Sequence, residues 1–152
     1  MPTGLGPGHR AAAPPGTRIG VHLRLGSLHN KGMPLRTARP LVDVVNSVAR
    51  RWPAGRILEY VDVPFAAGDR PPTARGRFYA PLADLSLPAG ARFYAGVVHD
   101  VPTEDEQRKT LHTIENALGR RVDGVACACG LGRRPRPVAD ALMARAVTLA
   151  GS

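Results

Sequence analysis

The order of elements in this 152-residue chain predicts an α/β domain built on a parallel sheet. Three observations predict it. Four short β-branched or aromatic runs recur along the chain, stretches with helical spacing separate them, and polar residues gather toward the C-terminal ends of the runs. Strand, helix, strand in series requires crossovers, and crossovers make neighbouring strands parallel with helices against the sheet.

The first run, RIGVHLRL (18–25), alternates strictly: Ile19, Val21, Leu23 and Leu25 on one face, Gly20, His22, Arg24 and Gly26 on the other. Period-two alternation is the mark of a half-buried strand. Leu41, Val44, Val45, Val48 and Trp52 then fall on one side of a helix that Pro53 and Gly55 end. The second run, RILEYVDV (56–63), sets Ile57, Val61 and Val63 toward the helices, with Glu59 on their register, and Leu58, Tyr60 and Asp62 on the opposite face. Between 65 and 90 the one helical candidate is short, around Ala80 to Leu85, after a Pro/Gly/Arg loop.

The third run is ARFYAGVVH (91–99). The helix after it is the best marked, because Thr103 and Glu106 form a capping box, Leu111, Ile114 and Leu118 make a buried stripe and Gly119 stops it. The fourth run, RVDGVACAC (121–129), leads through a Gly/Pro loop to a last helix. That helix opens near Pro137, a first-turn position, with Val138, Leu142, Ala146 and Leu149 at core spacing. Residues 1–16, without periodicity and rich in Gly, Pro and Ala, are expected to be a disordered leader, leaving one domain over 17–152.

Composition excludes several classes. No run approaches the roughly 20 apolar residues of a membrane span, and the N-terminus has no apolar signal core, so a cytoplasmic location is expected. The only cysteines, Cys127 and Cys129, are one residue apart, which rules out a disulfide scaffold. A net charge of +9 would suit nucleic acid, but the distribution argues against specific binding. Nineteen of the 21 basic residues are arginine, scattered over the whole chain, and aromatic residues that could stack on bases make up only 5%.

Three strand ends carry chemistry-bearing residues: His22 in GVHLRLG, His99 in AGVVHD and Cys129 in ACGLGRRP. Cys127 reads as a small buried hydrophobe, whereas Gly130 and Gly132 after Cys129 permit a ligand to approach the backbone closely. Arg133 and Arg134 could hold a carboxylate or phosphate by bidentate contact, or be solvated surface; His29 and His112 read as surface residues.

On these residues, above all CGLGRR (129–134), the sequence resembles the C-terminal half of the catalytic barrel of cobalamin-independent methionine synthase and its relatives, which share that barrel with uroporphyrinogen decarboxylase. The resemblance spans roughly 17–150. It implies a partial (β/α)8 TIM-type barrel of about four β/α units, and zinc-dependent methyl transfer from a methyl-folate-type donor to a thiol such as homocysteine. In that family two Cys, one His and a carboxylate hold the metal. Carried over, His22 falls on the His ligand, Cys129 on the last Cys ligand, Asp62 is the carboxylate candidate and His99 falls near the catalytic histidine, a sensible general acid for the leaving nitrogen. Arg24 stands where the family has its other cysteine.

A complete barrel takes about 250 residues, so this chain can build half of one. Its inner face, expected to include Leu58 and Tyr60, must be covered. A second copy, a second chain that completes the barrel, or the 65–90 segment folded over the face would each cover it. Two alternatives to methyl transfer follow: an inactive remnant or binding module that keeps the half-barrel without zinc, and a metal-free decarboxylase of the related group.

Overall fold

The computed structural model describes residues 13–26, 32–128 and 131–151. Of the expected leader, only 13–16 are among them, and these form a turn closed by the Thr17 N–H donating to the Pro14 carbonyl at 3.1 Å. Four strands, β1 (Arg18–His22), β2 (Ile57–Pro64), β3 (Arg92–Val98) and β4 (Gly124–Cys127), make one sheet in the order β1-β2-β3-β4, with every pairing parallel. The helices are α1 (Arg39–Arg50), the single-turn α2 (Gly76–Tyr79) continued by a 3-10 turn over Ala80–Asp84, α3 (Glu104–Leu118) and α4 (Arg136–Ala150). A second 3-10 turn, Leu131–Arg133, precedes α4.

The expected α/β class and parallel sheet are present, and sequential strand order puts each connection beside the next. Leu41, Val42 and Val45 of α1, Tyr79 and Leu82 of the short central segment, and Leu111 and Ile114 of α3 pack in one core with Val61, Val63, Phe93 and Ala95. Beyond it α4 packs Leu142 and Leu149 on Val98 at the far end of β3. α3 forms as its sequence requires. The Thr103 hydroxyl accepts from the Glu106 N–H, the Glu106 carboxylate accepts from the Thr103 N–H, and Gly119 closes the helix at φ 76°.

The departures from the expected pattern have physical causes. Ile19 pairs with Leu58 but Gly20 pairs with Tyr60, so Glu59 is an extra residue in β2 and the alternation changes phase across it. Leu58, expected on the inner face, is therefore 5% exposed in the helix-side core, and Ile57, expected in that core, is 50% exposed. In α1 the buried side is Leu41, Val42 and Val45, and Val44 faces out. The 65–90 segment also packs on the helix side, through Phe65, Tyr79 and Leu82, and does not cover the opposite face of the sheet.

Candidate functional site

The face of the sheet turned away from this core is tiled by tyrosine. Tyr60 pairs in register with Gly20 and Tyr94 with Gly124, and the two rings stack with centroids 5.2 Å apart. The outer strands carry glycine because the rings occupy the space of a side chain: a Cβ at Gly20 would lie 2.1 Å from Tyr60 Cζ, and one at Gly124 would lie 3.0 Å from Tyr94 Cδ1. Arg92 adds its guanidinium to the Tyr94 ring, 5.6 Å from the centroid, and binds Glu59 at 2.5 Å.

One step further along the strands, at their C-terminal ends, the same face carries His22 and Asp62. They are register partners, and His22 Nδ1 lies 2.7 Å from Asp62 Oδ2. The parity that placed both residues on one face holds here because the extra residue of β2 comes before Tyr60. Asp62 is largely buried, and its second oxygen, Oδ1, has no hydrogen-bond partner among the described residues. A buried carboxylate oxygen without a donor is costly and invites a cation or a donor group.

Cys127 behaves as the packing residue the sequence suggested. It sits in the small cluster with Val98 and Leu142, its Sγ 3.9 Å from the Leu142 carbonyl. Burial, and secondarily the charge of Asp62, push its thiol pKa up, so it stays protonated at neutral pH. Cys129, the sulfur ligand implied by the resemblance, lies outside the described residues, as does His29.

His99 is brought to the end of β3 but is 2% exposed and built into the backbone around it. Its Nδ1 accepts from the Val101 N–H at 3.1 Å, and Gln107 binds its peptide group from both sides, with Oε1 accepting from the His99 N–H and Nε2 donating to the His99 carbonyl. Arg145 donates to the same carbonyl at 2.9 Å and to that of Pro102 at 2.7 Å. Burial lowers the pKa of His99 against an opposing pull from Asp100, which keeps the ring neutral. Arg134 spends its guanidinium on the Gly68 carbonyl and Asp100.

Among the described residues, no three of His, Cys, Asp and Glu form a cluster able to hold a metal, so the pair His22 and Asp62 is the whole donor set there. What sequence reasoning missed is the tyrosine layer, for which the only signal was Gly20 and Gly124 at parity with the two tyrosines, and a cleft lined by arginines from the loops after β1 and β2. No helix among the described residues is long and apolar enough to cross a membrane. Comparison with protein-family models, curated proteins and solved structures gave no match to this chain.

Proposed function

We propose that this chain is half of a methionine synthase-like (β/α)8 barrel, and that His22 and Asp62 belong to a zinc site for methyl transfer to a thiol, completed by a second copy or a second chain. The observation that carries the reading is the 2.7 Å His22–Asp62 pair at the ends of adjacent parallel strands, on the face without helices. Strand ends are where α/β barrels place their chemistry. The donor chemistry fits zinc in part: Asp62 Oδ1 is a buried acceptor in want of a cation, and a catalytic zinc takes three protein ligands, of which Cys129 would be the third. Zinc bound there would hold a substrate thiol as its thiolate.

The chain's own residues have distinct parts in this reading. Asp62 and His22 Nδ1 already face each other at 2.7 Å, so these two donors would hold the metal between them in place of the proton they now share. Tyr60 and Tyr94, stacked on each other, form an aromatic floor beside the pair. His99, buried and neutral, positions the end of β3 rather than meeting solvent. A second reading, a zinc-free binding module, is favoured by Arg24, an exposed residue two positions after His22 that stands where the resembled family has a cysteine and cannot bind zinc.

Metal analysis of the purified chain tests the proposal, with solution mass recorded on the same samples. Near-stoichiometric zinc that falls away in Cys129→Ser and His22→Ala is the expected result. Folded protein without zinc would overturn it in favour of the binding module.

A further inference from the structure

A cleft of about 510 Å³ opens at the C-terminal ends of β1 and β2, between the loops that follow them. Its size is that of a small-molecule pocket. Phe65 and Phe78 contribute apolar wall, while Arg36, Arg70, Arg75 and Arg77 line it with no Asp or Glu among the described lining residues. Elsewhere most of the described arginines are spent. Arg18 and Arg92 share Glu59, Arg39 holds Asp84, Arg120 holds Asp123, Arg134 holds Asp100 and Arg136 holds Asp140. Among the described arginines, only Arg36, Arg50, Arg70, Arg75 and Arg77 have side chains with no hydrogen-bond or ion-pair partner, and all but Arg50 line this one cleft.

The segments that carry these arginines are tied to the fold. Ala67 and Arg70 exchange two backbone hydrogen bonds, the Gly32 N–H donates to Asp69 Oδ1 at 3.1 Å, and the Gly68 carbonyl accepts from Arg134. The Tyr79 hydroxyl donates to the Thr73 carbonyl at 2.7 Å, and the Ala38 N–H donates to that of Phe78 at 2.9 Å. Like charges held around a concavity with no acid among its described lining residues focus a positive potential into it, and guanidinium forks match oxyanions by paired hydrogen bonds.

We infer that this cleft binds a small molecule carrying at least two oxyanion groups, phosphate or carboxylate, on an apolar body that rests against the phenylalanines. The cleft shares no residue with the His22–Asp62 pair, so the inference stands apart from the zinc reading. Calorimetric titration of the full chain with pyrophosphate and, separately, with citrate tests it. Saturable binding that weakens with salt is expected, and the tighter of the two assigns the anion class. Arg75→Gln combined with Arg77→Gln should weaken binding by about tenfold or more, while Arg50→Gln should leave it within about twofold. Absence of saturable binding to both anions, or an equal loss in Arg50→Gln, would overturn the inference. Zinc-free protein that still binds pyrophosphate would separate it from the methyl-transfer reading.

Discussion

The two faces of the sheet are built on opposite rules. On the helix side, aliphatic and aromatic side chains from three connections interdigitate around Phe93, Ala95 and Val97, all fully buried, and polar residues enter only where they serve the backbone, as Gln107 does for His99. On the other side two tyrosines lie flat over glycines, and a histidine and a carboxylate meet at the strand ends. Stability resides on the first face and the chemistry-bearing groups on the second. Substitutions in the helix-side core should therefore unfold the chain, whereas replacing His22 or Asp62 should disable a site.

The largest expected effect is on the helix side. Phe93→Ala should cost about 3–5 kcal/mol by transfer and cavity terms together, visible as a lower denaturant midpoint. A loss below about 1 kcal/mol would break the comparison, because it would mean the helix-side core is not where the fold is held. Next comes Gly20→Ala, whose new methyl would collide with the Tyr60 ring, itself pinned by Tyr94. Overpacking predicts a loss of about 1–3 kcal/mol, and Tyr60→Ala should remove most of that penalty in a double-mutant cycle. Failure of the rescue would show that the tyrosine layer does not set the identity of residue 20.

The capping box gives a smaller effect: Thr103→Ala should lower stability by about 1 kcal/mol. Hydrogen bonds from Thr103 hold Glu106 below the usual carboxylate range, so this contribution is present at neutral pH and fades as pH falls through the depressed value. The smallest and most diagnostic effect concerns His99. Burial lowers its pKa from the ordinary 6.5, with Asp100 opposing and Arg134 assisting. The unfolded chain therefore takes up the proton first, and stability should fall as pH drops below about 6.5. In His99→Gln that part of the pH profile should flatten. An unchanged profile would show that His99 titrates as freely in the folded protein as in the unfolded chain.

Local signals made much of the fold legible. The alternation of β1, the Thr103–Glu106 box with its Gly119 stop and the proline opening of α4 each depend on residues within a few positions of one another. Register does not. The extra residue at Glu59 arises from how β2 pairs with β1, and it moved Leu58 to the core and Ile57 to the surface against their parity. Within the site, the shared face of His22 and Asp62 followed from alternation, but their contact depends on register. The arginine cleft was illegible because its charge is meaningful only once the acids are seen to be used elsewhere.

The central claim is that the face without helices, through His22, is where a metal and its chemistry belong, while His99 is structural. Imidazole NMR of the full chain during a zinc titration tests this most directly. The account predicts that the His22 resonances shift and saturate at equimolar zinc, with Cys129→Ser abolishing the response and His99 unmoved. His22 resonances that ignore zinc, or a response centred on His99, would contradict it.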